Sequence, residues 1–283
     1  MNSKLIQSSP IHQAAELQLP LKRTEPLYKR RVYKLLSGLT LPVVVLILWQ
    51  VLGDKEYIST LLFPTPTTIL DAFWNLYLTG ELIDNLKISL VRMLSGFALG
   101  ASLGLLIGLL VGLVWYVEKA LDPTIQMIRM VPHLALTTLF VLWFGIGETA
   151  KILLIAKGSF FPLYINAYLG IRNIDTKYFD VARVLGFSRS KQLTRLIIPA
   201  IMPNLFLGIR LSVAISWLGL VVAEIMGSTS GIGYLMMDAR AMSMTSTVFV
   251  GIVLFAVLGK ASDLLVVSLE RYMLRWRDSF QGL

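Results

Sequence analysis

The chain has 283 residues, 55% of them apolar and only 15% charged, with a mean hydropathy of +0.70. Such usage lies outside that of soluble domains and defines a polytopic membrane protein. Cysteine is absent, which excludes disulfides, thiolate metal sites and cysteine nucleophiles, and the net charge of +9 has to be tested against membrane topology before it is read as nucleic-acid binding.

In chain order, residues 1–34 are polar, contain Gln, Ser and Pro without a sustained period, and predict a flexible cytoplasmic tail. They do not form a cleavable signal peptide, because the first apolar segment begins too late. From 35 to 283 an all-α transmembrane domain is expected. A helix needs about 20 residues to cross a hydrocarbon core of roughly 30 Å. Six segments qualify, near Leu35–Leu52, Leu94–Trp115, Thr124–Phe144, Ala150–Ile171, Leu205–Ile225 and Thr247–Val267. Between the first two, Phe63-Pro64-Thr65-Pro66 opens a helix carrying Ile69, Phe73, Leu76, Leu82 and Leu86, with a break at Gly80. It is expected at the outer interface, with Trp74 and Tyr77 at headgroup depth.

In the second span Gly96, Gly100, Gly104, Gly108 and Gly112 recur at every fourth residue. Such a strip lets another helix approach backbone to backbone, either within the subunit or as a sliding or dimer-forming face. Charges inside spans are costly and call for a reason. Arg129 and His133 are four apart and so are expected to share a helix face, continued by Thr137. They either border a water-filled path that attracts an anionic solute, or Arg129 snorkels and His133 packs. Arg210, with Ser212, Ser216 and Trp217 on neighbouring turns, forms a second candidate stripe. Lys157 either faces the path or reaches a carbonyl freed by Pro162. Lys260 and Asp263 read as a local ion pair. Glu224 precedes Gly227-Ser228-Thr229-Ser230-Gly231-Ile232-Gly233, a tight outer loop that it caps or gates.

Between the fourth and fifth spans lies a polar, basic island, 172–199. Asp175 is placed to cap a short helix whose Phe179, Ala182 and Leu185 share a face, and Gly186 to end it in the left-handed conformation. A second short helix is expected to end near Pro199. The small side chain of Ala182 would admit the groove of a partner. Lysines and arginines orient the whole. Lys4, Lys22, Arg23, Lys29, Arg30, Arg31 and Lys34 of the tail, those of the island, and Lys119, Arg271, Arg275 and Arg277 far outnumber Lys55, Lys87, Arg92, Lys151 and Arg240 on the other side. Both termini and the island are therefore expected in the cytoplasm, and nucleic acid loses its main support as a partner. No phosphate-binding loop exists: Gly259-Lys260-Ala261 has Leu254 and Ala261 where Gly and Ser/Thr are needed. With no HExxH, GxSxG or carboxylate cluster either, the chain is expected to be no enzyme, to carry no catalytic residue, metal or cofactor, and to take its energy from another subunit.

Asp180-Val181-Ala182, three residues, Gly186, nine residues and Leu196-Ile197-Ile198-Pro199 resemble the Glu-Ala-Ala motif of the permease subunits of bacterial type I ABC importers, with Asp180 in place of Glu and Val181 in place of the first Ala. Three further runs, 125–136, 142–148 and 170–175, resemble those of aliphatic sulfonate permeases. The resemblance covers Leu35 to the C terminus, with a permease core of about 83–271 and the coupling loop at 172–199. It implies an inner-membrane subunit that passes a small anionic solute, most of all aliphatic sulfonates. Taurine, nitrate, bicarbonate or a pyrimidine precursor are the alternatives within the class, and an ion-coupled secondary transporter the alternative outside it. Implied partners are ABC ATPase subunits, a periplasmic or lipoprotein solute-binding protein and a second permease, forming a homodimer in the bilayer. The ATPase would dock at Lys177, Tyr178, Phe179, Asp180, Val181, Ala182, Arg183, Leu185 and Gly186.

Overall fold

The computed structural model describes residues 27–276, and side chains from Thr40 onward. The basic tail before Leu27 and the residues after Trp276 lie outside the described residues. The elements are α1 (Leu27–Asp54), α2 (Pro66–Leu78), α3 (Glu81–Leu113), α4 (Trp115–Arg129), α5 (His133–Phe144), α6 (Glu148–Arg172), α7 (Thr176–Val184), α8 (Arg189–Gln192), a π-turn (Leu193–Ile197), α9 (Ile198–Gly227), α10 (Ile232–Ala241) and α11 (Thr245–Met273). The stretch through Leu52 forms one unit and the chain from Gly53 onward a second. Helix α1 starts at Leu27 rather than Leu35, so 27–34, expected in the flexible tail, are helical. The basic run Leu27–Lys34 contains no Gly or Pro to stop a helix from extending back from the apolar stretch.

Helix α2 begins where Thr65 accepts a hydrogen bond from the Thr68 amide at 3.4 Å and Pro66 takes the first helical position, where a missing N–H costs nothing. The chain turns at Gly80, whose φ of 81° suits a residue without Cβ. From Glu81 a single helix runs to Leu113, so Leu82 and Leu86 belong to the start of α3 and not to an interfacial helix.

Among the described residues, α3, α6, the run from Arg189 to Gly227 and α11 are long and apolar enough to cross a membrane. Helices α4 and α5 make a fifth span only as a pair bent by 98°, and Thr40–Asp54 is a shorter apolar stretch. The expected straight span Thr124–Phe144 is thus broken. Pro132 has no amide to bond back to Ile128 and disfavours the helical region at Val131, while Pro123 lies inside α4 without ending it. The fifth span, too, begins earlier than Leu205. The expected short helix continues through the π-turn into α9 and does not end near Pro199, which occupies one of the first two positions of α9 where proline is accommodated.

Helix α6 is the centre of the second unit: 56% of its apolar window is buried, against 17% for α11. It packs against α3 and α9 together. All five glycines of the row in α3 face α6. A Cβ at Gly100 or Gly104 would run into the carbonyls of Ala156 or Phe160, and one at Gly108 would lie 2.7 Å from the Tyr164 carbonyl. The strip is therefore packing within the subunit. The opposite face of α3 exposes Leu99, Leu103, Leu106 and Leu110, as a surface against lipid does.

Candidate functional site

Helix α7 is built by local rules. The Asp175 carboxylate accepts the Lys177 amide at 2.9 Å, and Gly186 adopts φ 65°. The Phe187 amide donates to the Ala182 carbonyl at 2.9 Å and the Gly186 amide to that of Arg183 at 3.0 Å, so the last carbonyls are satisfied as in a Schellman ending. The element stands as expected, but its faces are assigned differently. Ala182 is only 3% exposed, and Phe179 packs on Ile171, Ile197 and Ile201. Ala182 therefore seats the helix on its own protein and is not open to a partner's groove. What faces outward is Tyr178, Val181, Val184 and Leu185, with Val184 87% exposed, flanked by Lys177, Arg183 and Asp180. Leu185 leaves the Phe179 and Ala182 face because it is the cap residue, outside the regular helix.

The expected path residues do not form one stripe. Arg129 ends α4 and His133 begins α5 across the bend, so they share no helix face. Arg129 is exposed. His133 lies against Gly158 and Gly219, and its Nε2 is buried without a hydrogen-bond partner. Lys157 reaches the Val131 carbonyl at the bend, at 3.0 Å, and not one freed by Pro162. Thr137 is 4% exposed and donates to the His133 carbonyl at 3.2 Å. Arg210 is tied to Asp263 of α11 through Nε, and through Nη2 at 3.2 Å, while Lys260 also donates to Asp263 at 3.3 Å. Ser212 donates to the Ser159 carbonyl at 2.7 Å and Ser216 to that of Ser212 at 2.8 Å, both fully buried, and Trp217 donates to Ser262 at 3.2 Å. Arg210, Ser212 and Trp217 thus tie α9 to α6 and α11, whereas Ser216 and Thr137 bond within their own helices.

Glu224 is the most buried member, 1% exposed, of a charge cluster that reaches the surface at Glu148. Its carboxylate accepts from Arg92 Nη1 at 2.9 Å, from Ser89 at 2.8 Å and from the Gly233 amide at 2.8 Å. Of its two expected roles it takes the cap, closing the amide end of α10. Arg92 also holds Glu148 by two parallel bonds of 2.6 Å and the Ser230 carbonyl at 2.7 Å, and Lys151 donates to Glu148 at 3.0 Å. Two cations and two carboxylates thus join α3, α6, α9 and the Ser228–Gly231 loop. Composition rules missed this set, since Arg92, Glu148 and Lys151 read as ordinary charges near a membrane edge. Their only signal was that an arginine eleven residues into α3 needs a partner within the protein.

Beside the cluster, α5, α6 and α9 border a small, half-open cleft, lined among others by Thr137, Phe140, Val141, Lys151, Leu154 and Met226. Among the described residues no group of His, Cys, Asp and Glu could hold a metal ion.

A bundle of long apolar helices around a central span, with a capped polar helix between two spans, defines a multi-pass membrane permease. Residues 100–275 match the family of binding-protein-dependent transport system inner membrane components, and the chain belongs to that family. It is 53% identical over 267 residues, 93% of this chain and 97% of the relative, to a Bacillus subtilis (strain 168) protein bearing the name of an aliphatic sulfonates transport permease. An Escherichia coli (strain K12) protein with the same name is 47% identical, covering 85% of this chain and 91% of its own. The taurine transport system permease of the same organism is 31% identical, over 91% and 98%. The chain is accordingly an inner-membrane permease of the ABC importer class, and its close relatives are transport permeases.

Proposed function

We propose that this chain forms the membrane pathway of an ATP-driven importer of aliphatic sulfonates. The likeness to the two sulfonate permeases, which runs over nearly the whole chain and exceeds that to the taurine permease, carries this reading. ATP is bound and hydrolysed on separate ATPase subunits that dock on α7, and a solute-binding protein delivers the sulfonate from outside. Two copies of the chain make the pathway, with both termini and α7 on the cytoplasmic side, an orientation supported by the excess of Lys and Arg there.

The geometry of α7 supports this division of labour. Its inner face is fixed on Ile171, Ile197 and Ile201, at the end of α6 and the start of α9, while its outer face of Tyr178, Val181 and Val184 is free to enter a groove. Motion imposed on that face passes directly to the two best-packed spans, which is how closure of ATPase subunits would alternate access. The test is solute-stimulated ATP hydrolysis by the complete transporter with its binding protein, across alkanesulfonates, taurine, nitrate and bicarbonate. Stimulation by alkanesulfonates well above that by the other three is expected; equal or greater stimulation by one of them moves the assignment to that solute.

A further inference from the structure

We propose that Arg210, Asp263 and Lys260 form a charged station on the water-filled path of the permease, with Lys260 as the cation that meets the anionic head of the solute. The inference rests on the transport reading above and deepens it by naming a residue of this chain that the solute passes. The three groups lie at mid-membrane depth. Helix α9 runs from 198 to 227 and α11 from 245 to 273, so their middles fall at 212–213 and at 259. None of the three residues is more than four positions, or about 6 Å of axial rise, from the middle of its helix. The groups are nevertheless open: the side chain of Lys260 is 66% exposed and that of Arg210 47%. Cations at that depth are too far from either helix end to snorkel out and are costly against lipid, so this face is turned to water or to protein.

Hydrogen bonding decides for water. Arg210 donates to Asp263 through Nε and, at 3.2 Å, through Nη2, and Lys260 donates to Asp263 at 3.3 Å. A guanidinium has five N–H donors and an ammonium three, so most donors of this set are left for water or an anion. A dry surface would strand them, and two cations sharing one carboxylate leave a surplus positive charge. Arg210 is fixed by its two bonds, whereas Lys260 has a single one and can turn to an anion while Arg210 keeps Asp263 paired. Its surroundings leave access: Ala256, Gly259 and Ala261 flank it, and a Cβ added at Gly259 would meet nothing. Val257 and Leu264, a turn to either side on the same face of α11, are exposed as well. The station draws an anionic head by charge and reads nothing of its tail.

Because the chain has no cysteine, single cysteines report their surroundings without background from it. In the complete transporter in nanodiscs, Val257→Cys and Leu264→Cys are expected to react with 2-sulfonatoethyl methanethiosulfonate more than about tenfold faster than Leu103→Cys on the lipid-facing side of α3, since the attacking thiolate forms in water and not in hydrocarbon. In proteoliposomes with binding protein and ATP, Lys260→Met is expected to slow ethanesulfonate import by roughly tenfold, the usual weight of a charged hydrogen bond, and Lys260→Arg to keep most of it. Recovery of each variant as an intact complex controls for folding. Labelling of both cysteines no faster than that of Leu103→Cys shows the face covered by lipid or by a dry protein surface and overturns the station. Fast labelling with undiminished import by Lys260→Met overturns the role of Lys260. Either result leaves the transport reading standing. A wild-type transporter that imports no alkanesulfonate overturns the sulfonate reading instead, and the labelling then decides the station by itself.

Discussion

Glu224 is the residue on which α3, α9 and the start of α10 converge. An ion taken from water into the interior is stable only if its partners are close and complete, and here Arg92, Ser89 and the Gly233 amide supply them. Without Glu224, Arg92 keeps Glu148, but the buried Ser89 hydroxyl and the Gly233 amide lose their acceptor. Glu224→Ala is therefore expected to destabilise the protein by about 1–3 kcal/mol, and Glu224→Gln, which keeps the hydrogen-bonding shape, by less. Melting of the detergent-purified variants measures this, and unaltered melting of Glu224→Ala would show that the cluster does not hold these helices. In the sequence Glu224 was legible as a charge needing a partner, and its nearness to the Gly/Ser loop pointed to a cap. Arg92, 132 positions away, was not legible as that partner. Pairing across that distance is decided by which helices pack together, and spacing along one helix carries no record of it.

At the scale of elements, local chemistry was the readable part. The Asp175 cap, the Gly186 ending and the glycine row each act within a few residues or along one helix face, and each is found where its residue types demand. The bend between α4 and α5 was legible only as Pro132 in an otherwise apolar run, which is compatible with a kinked span as much as a broken one. Tertiary contacts hold the bend in place: Lys157 of α6 takes the Val131 carbonyl, and α4 is tied to α6 by Tyr164 donating to Asp122 at 2.6 Å, Tyr168 donating to Glu118 at 2.7 Å, and the Arg172–Glu118 pair. The faces of α7 were misread for a similar reason, because a small alanine serves close packing toward either side. The exposed face now makes a sharper prediction. Val184→Asp is expected to leave melting nearly unchanged, as surface substitutions do, while weakening association with the ATPase subunit by about tenfold or more in a pull-down titration. Undiminished association would remove this face from the docking site.

For the whole molecule, the arrangement separates two duties. The α3–α6–α9 core is cross-linked by charge near one end and close-packed by glycines along its length, and α7 is seated on it; on the proposed reading the core moves as one block with α7 as its handle. The most direct test of that account is uptake of labelled ethanesulfonate into proteoliposomes that contain the complete transporter, with binding protein outside and nucleotide trapped inside. Accumulation against a concentration gradient with ATP, and none with ADP, is the predicted result. Equal uptake with ADP, driven by an imposed proton or sodium gradient, would contradict it and make the chain an ion-coupled carrier.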